Sequence, residues 1–426
     1  MEKKSQEYSA YVEILKRELV PARGCTEPTA LALCAAKARE VLGELPKRID
    51  VAASGNIIKN VKSVIVPNTD SRKGIEAALA IGTVAGDPSL GLEVLRDVTP
   101  DKKKEFVKYL ENTEMTVRQA DNDLLLDIVV TAYSDKSSAK VRISGTHTNF
   151  VYIEKDSKVI FEKEIEDAEV SDGPDYSLLT VEKICDFADS ADILDVESVL
   201  DRQISYNSAI SDEGLAGDYG ANIGSVLLKS FGNDIITRAK ARAAAGSDAR
   251  MNGCELPVII NSGSGNQGMT VSLPLIEYAK ELGCDKEKLY RALIISNLCA
   301  IHLKSGIGCL SAYCGAVSAG AAAGAGIAYL RGGGYREIAH TLVNALAVTS
   351  GIVCDGAKAS CAAKISTAVD AGILGYEMYV NGQQFYRGDG IVSAGVENTI
   401  KNIGRLGRDG MRDTDREILN IMTCVD

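Results

Sequence analysis

The chain carries eleven cysteines, and four of them fall between Gly306 and Lys364. Cys309 and Cys314 lie in GIGCLSAYCGAVSAGAAAGAG, and Cys354 and Cys361 bracket CDGAKASC. The flanking residues are mostly Gly, Ala and Ser, and Ile307 to Leu330 is free of charge. Thiols among close-packing small residues suit a buried soft metal. Six residues separate Cys354 from Cys361, starting with the turn signal Asp-Gly, so this is not a CxxC knuckle. Cys314 lies one helical hairpin upstream and joins them only if that hairpin folds back. Three thiolates with no evident fourth leave one metal position open, as catalysis needs and structural sites avoid.

Cys25 is a different kind of candidate. It precedes a helical pattern whose start is marked by Pro28 and Glu27. Free backbone N–H groups and the helix dipole stabilise a thiolate there, so its pKa is expected to fall from about 8.5 towards neutrality. Cys25 is therefore the candidate base or nucleophile, with Glu27 working against it if the two side chains point the same way. Two polar stretches are candidate substrate holders. NSGSGNQG at Asn261–Gly268, with Ser262, Ser264 and Asn266, precedes a helical run and offers backbone N–H groups to an anion such as a carboxylate. GNIIKN is a weaker cluster of the same kind, with Asn56, Lys59 and Asn60. The three histidines, His147, His302 and His340, are too scattered for a His-rich zinc site. P-loop, dinucleotide, GxSxG and HExxH patterns are absent.

These residues need elements to position them. Gln6 to Val20 repeats apolar residues at helical spacing, and a second helix is expected from about Thr29 to Leu42. RIDVAAS and VKSVIVP read as short strands around a GNIIKN turn. A small-residue helix follows at about 74–85, then charged helical segments to Leu110. Met115 to Ile165 alternates like an antiparallel meander, and SDGPD reads as a linker. Beyond Tyr176 strand signals almost vanish, and helices are expected at about 179–188, 192–211, 220–245, 271–283, 286–304, 311–330, 334–349, 356–373 and 394–423. The expected class is α+β. Residues 1–44 form N-terminal helices packing on either domain, 45–175 a mixed α/β module, and 176–426 an all-helical domain.

Composition narrows the function. The net charge is −11, without a basic run, and Trp is absent, which argues against nucleic-acid binding. Ser311 to Leu330 is long enough to span a membrane but too rich in Ala, Gly and Ser to favour it. The N-terminus lacks a secretory pattern, and an odd cysteine count without a framework points to reduced thiols in a cytoplasmic protein. Small-residue helices, if exposed, would suit a homodimer.

Taken together, GCTEPTA, SGNIIKN, NSGSGNQG, SAYCGA and CDGAKASCA resemble the L-cysteine desulfidase family, related to the α-domain of iron–sulfur L-serine dehydratases. The resemblance implies a 4Fe-4S cluster, no pyridoxal phosphate, and conversion of L-cysteine to pyruvate, ammonia and sulfide. Position by position, it sets Cys314, Cys354 and Cys361 against the cluster ligands, with Cys309 as the alternative to Cys314. It sets Cys25 against a further ligand or base, and it brings in Cys424 as a C-terminal thiol for the open iron. An iron–sulfur dehydratase of serine or a related β-hydroxy amino acid is the enzymatic alternative. A non-catalytic metal-binding or scaffold protein is the alternative of another class.

Overall fold

The computed structural model describes residues 1–122, 124–165, 173–308 and 310–423. Helix α1 (Gln6–Glu18) is capped by Ser5, whose side chain accepts from the Tyr8 N–H, and it buries Tyr8, Tyr11, Ile14 and Leu15. The short strand β1 (Pro21–Arg23) leads into α2 (Thr26–Leu42), which is buried over most of its length and closes on Gly43 in the left-handed region. Next come β2 (Arg48–Ala53), α3 (Gly55–Val61), α4 (Ile75–Ala85) and α5 (Pro100–Asn112). Five strands follow: β3 (Glu114–Gln119), β4 (Asp127–Tyr133), β5 (Ser138–Ser144), β6 (Phe150–Lys155) and β7 (Lys158–Glu162).

The sheet order is β3-β2-β4-β5-β6-β7. Strands β4 to β7 form the expected antiparallel meander, but β3 pairs parallel with β2, so the sheet is mixed. The helices α3 to α5 supply the crossover that a parallel pair requires. Helix α2 packs on β4 and β5, and it meets α4 so closely that a Cβ at Gly82 would lie 2.5 Å from the Ala32 Cα. GNIIKN forms α3 rather than a turn, and VKSVIVP contributes only an isolated bridge, Ile65 to Lys73. Ile57 and Val61, four apart, are both buried, so helical spacing wins over local β-propensity here.

The second half begins with α6 (Val181–Ser190), α7 (Glu197–Ala216), α8 (Ile223–Phe231) and α9 (Ile235–Met251). The single helix expected at 220–245 is therefore two, broken at Gly232, with Asp234 capping α9. A three-residue strand, β8 (Pro257–Ile259), pairs antiparallel with β1, so this half is not wholly helical. Three residues are too few to show alternation. Helices α10 (Gly265–Leu282), α11 (Lys286–Ser305), α12 (Gly315–Leu330), α13 (Tyr335–Thr349) and α14 (Cys361–Val380) build the bundle. The expected helix 394–423 divides into α15 (Val396–Arg405), a π turn at Leu406–Gly410, and α16 (Arg412–Thr423).

Helix α12 is the central rod, flanked by α10, α11, α13 and α14. Its small residues are spent inside the chain: Cβ atoms at Gly320 and Gly324 would lie 2.4 Å from backbone atoms of Ala368 and Gly372. Among the described residues no helix is long and apolar enough to cross a membrane. The architecture is α+β. Helix α1 contributes to the core of the helical half, whereas α2 belongs to the core of the sheet, so the first 44 residues are shared between the two. The first two residues of SDGPD lie outside the described residues.

Candidate metal and active site

Cys314 caps the N-terminus of α12, and Cys361 is the first residue of α14. An isolated antiparallel bridge, Tyr313 to Val353, ties the two approaches together. The Cys314 N–H donates to the Ile352 carbonyl at 3.2 Å, and the Cys354 N–H donates to the Ala312 carbonyl at 2.6 Å. Side chains alternate across such a pairing, so Cys314 and Cys354 share one side as diagonal neighbours. The Cys361 thiol faces the Gly356 carbonyl at 3.7 Å. Asp355 pairs with both Lys358 and Lys364, and Lys364 also donates to the Val353 carbonyl at 2.8 Å. Burial would raise the Asp355 pKa, but the two ammonium groups override it and hold the carboxyl at about 2. Gly356 has φ +93, and a Cβ there would lie 2.4 Å from the Lys59 carbonyl oxygen. Only glycine lets this loop close on α3.

Burial pushes the Cys314 thiol up to about 12, with the neighbouring Cys354 and Cys361 acting in the same direction. Among the described residues no three His, Cys, Asp or Glu side chains converge tightly enough to hold a single ion. A multi-iron cluster takes its thiolates on separate irons, so it asks for thiols spread around a space rather than aimed at one point. The three free thiols around one cavity fit that demand better than they fit a mononuclear ion.

Cys25 caps α2 as expected, is buried, and reaches the same cavity. Gly24 before it has φ +64, and a Cβ there would lie 2.2 Å from the Pro67 Cγ, which fixes the turn into the helix. The expected fall in the Cys25 pKa does not occur. Burial raises it well above the ordinary thiol value, and Glu27 adds to the rise, against an opposing effect of Arg250. Glu27 does point the same way: the thiol donates to its Oε2 at 3.2 Å. Desolvation and a neighbouring carboxylate outweigh the helix terminus. Glu27 also accepts from Thr26 Oγ1 at 3.1 Å and Asn60 Nδ2 at 3.0 Å, with His147 Nε2 at 3.8 Å. Burial would raise its own pKa, yet His147, the Cys25 thiol and the backbone bring it down to about 2.

The cavity is about 110 Å³. Asn56 and Asn60 line it from α3, and Ser262, Ser264 and Asn266 line it from the entry to α10. Lys59 does not line it. Its side chain is 2% exposed and pairs with Asp415 of α16, in a neighbouring depression that Asn56 also lines. Cys309 and Cys424 lie outside the described residues. His302 binds Glu397 at 2.8 Å, and His340 stacks on Tyr379, so neither reaches the cavity. Glu27, His147, Arg250 and Gln267 also line the cavity without having been singled out as site residues. Only Glu27 carried a sequence signal, through its place beside Cys25. A wider surface depression of about 550 Å³ around Asp189, Arg291 and Tyr329 holds no thiol.

Four thiols, a buried carboxylate and amide groups thus line one small cavity. The chain matches the serine dehydratase alpha chain model over residues 89–420 and belongs to that family, one of lyase-type enzymes with an iron–sulfur relationship. It is 60% identical to a UPF0597 protein of Desulfitobacterium hafniense over 422 residues, covering 99% of this chain and 98% of that protein. A UPF0597 protein of Lachnoclostridium phytofermentans is 54% identical, covering 97% of this chain and 99% of its own length. One from Bacteroides thetaiotaomicron is 37% identical, covering 97% of each chain.

Proposed function

We propose that the protein is an iron–sulfur-dependent L-cysteine desulfidase acting in the cytoplasm. The observation that carries this reading is the meeting of Cys314, Cys354 and Cys361 with Cys25 and Glu27 around one buried cavity. The three thiols would hold a 4Fe-4S cluster, which when bound supplies an open iron as a Lewis acid for the substrate's sulfur. The remaining work belongs to the chain. The loop at Ser262–Asn266 and the Asn56–Asn60 face orient the amino acid, and burial excludes water while the bond breaks. The Cys25 Sγ, held by its hydrogen bond to Glu27 Oε2 at 3.2 Å, is the group placed to take the Cα proton, acting as thiolate once its own proton has left to solvent on loading of the site. The raised thiol pKa keeps Cys25 protonated at rest and makes its thiolate a strong base when the proton moves.

The electron pair of the Cα–H bond forms the Cα=Cβ bond, and the Cβ–S pair leaves with sulfide. The resulting 2-aminoacrylate tautomerises to the imine, and water hydrolyses it to pyruvate and ammonia. The test is anaerobic reconstitution with iron and sulfide, followed by measurement of sulfide and pyruvate released from L-cysteine. Cys25→Ser should keep the visible absorbance of the cluster and lose turnover. Loss of the absorbance instead would make Cys25 a ligand. The family match supports a second reading, dehydration of L-serine at the same site. Pyruvate from serine without sulfide from cysteine would select it.

A further inference from the structure

Arg250, at the end of α9, is the largest of the fully buried side chains among the described residues, at 2% exposed. A buried guanidinium is normally paired, because removing the charge from water is costly. This one makes a single side-chain bond, from Nη1 to Asn266 Oδ1 at 3.1 Å, and Nε and Nη2 have no partner among the described residues. No carboxylate among the described residues pairs with it. It lies against the first residue of α10, where a Cβ at Gly265 would fall 2.4 Å from its Nε. Glycine therefore admits the guanidinium to a helix start, where backbone N–H groups also face an anion. The same cavity is lined by Asn56, Asn60 and Gln267, each under 9% exposed. Each of the three leaves its side-chain oxygen without a partner: Asn56 Oδ1, Asn60 Oδ1 and Gln267 Oε1.

Unpaired buried donors on one residue and unpaired acceptors on three others, all around one space, make a complementary set. Their charge pattern is that of a zwitterion. We infer that Arg250 and the start of α10 hold the α-carboxylate of an amino acid, while the amide oxygens of Asn56, Asn60 and Gln267 hold its α-ammonium. Arg250 offers two N–H groups in a fork that matches a carboxylate. The amide oxygens accept from an ammonium without deprotonating it, which leaves Glu27 free to serve Cys25. The inference deepens the proposed function, since it rests on an α-amino acid as substrate. It assigns the recognition to the backbone end of that molecule and leaves the choice of side chain to the cluster side of the cavity.

The test uses L-alanine, which has both charged groups and no leaving group, against propionate and ethylamine, which each lack one. Binding to the full-length, cluster-loaded protein is read anaerobically by ligand-observed NMR. The wild type should bind L-alanine at least tenfold more tightly than either fragment. Arg250→Gln should weaken L-alanine by roughly 10- to 100-fold, with ethylamine binding unchanged and the cluster absorbance retained. If Arg250→Gln loses its cluster, Arg250→Lys is measured instead, with a smaller loss confined to L-alanine and propionate. Gln267→Met should weaken L-alanine and ethylamine together and leave propionate alone. Failure of the wild type to bind L-alanine, or equal loss of alanine and ethylamine in the arginine variant, would overturn the inference. Because alanine cannot be eliminated, an Arg250-dependent alanine site in a protein that releases no sulfide would sink the desulfidase reading alone.

Discussion

Gly372→Ala is the sharpest test of how the thiols are positioned. Helices α12 and α14 begin at two of the proposed ligands, Cys314 and Cys361, and they pack backbone to backbone. A Cβ on Gly372 would lie 2.1 Å from the Gly320 carbonyl oxygen and 3.1 Å from the Gly324 nitrogen. Ordinary van der Waals contact begins near 3.4 Å, so the helices must separate by about 1 Å. Overpacking of a tight core costs about 1–3 kcal/mol, and the upper end applies because a helix backbone cannot rotate aside. Alanine returns up to about 1 kcal/mol in helix propensity, leaving a net loss of about 2 kcal/mol. Urea denaturation of the purified protein should show that loss as a lowered midpoint with an unchanged slope. Iron content after anaerobic reconstitution should fall in parallel, because the starts of α12 and α14 move apart. Gly351→Ala is the control, since a Cβ there meets nothing within 4 Å. A Gly372→Ala protein as stable as the Gly351→Ala protein would refute the close-packing argument.

Two further predictions concern buried charge. Asp248 is fully buried, with Oδ2 accepting from the Gly224 N–H at 3.0 Å and Oδ1 unpartnered, and burial raises its pKa to about 6. The unfolded chain has it near 3.9, so between about pH 4 and 6 the folded state binds more protons and stability falls as pH rises. Asp248→Asn should remove that fall and add roughly 3 kcal/mol at pH 8 but almost nothing at pH 4; parallel melting curves across this range would contradict it. Asp415→Asn should cost about 3 kcal/mol by stranding the buried Lys59 ammonium, whereas the double variant with Lys59→Met should recover most of the loss. Equal urea midpoints for single and double variants would show that the stranded ammonium is not the source of the loss.

Much of the local chemistry was legible in the residue order. Pro28 with Glu27 marked the start of α2, so Cys25 was placed at a helix terminus without coordinates. The Gly/Ala run marked a helix made for close approach, and its neighbours α13 and α14 were legible from their periodicity. Short-range signals of this kind depend on residues within a few turns of one another. Where contacts were few or distant, the reading failed: α3 looked like a turn, β3 looked antiparallel, and β8 went unseen. A three-residue strand has no period, and a parallel pairing is decided by the crossover rather than by the strand itself.

The sequence by itself determined which thiols exist and placed Cys25 at a helix start, whereas the helix starts at Cys314 and Cys361 came with the fold. Only the tertiary structure decided what surrounds them. The Tyr313–Val353 bridge turned Cys314 and Cys354 to one side, and Gly356 brought their loop against α3. The fold also reversed the expected acidity of Cys25, because the field at a buried thiol is set by its desolvation and by the Glu27 carboxylate beside it. Arg250 shows the same division. In the sequence it is one more basic residue of an acidic chain. Burial without a partner, a property of the folded surroundings, is what makes it a candidate for binding.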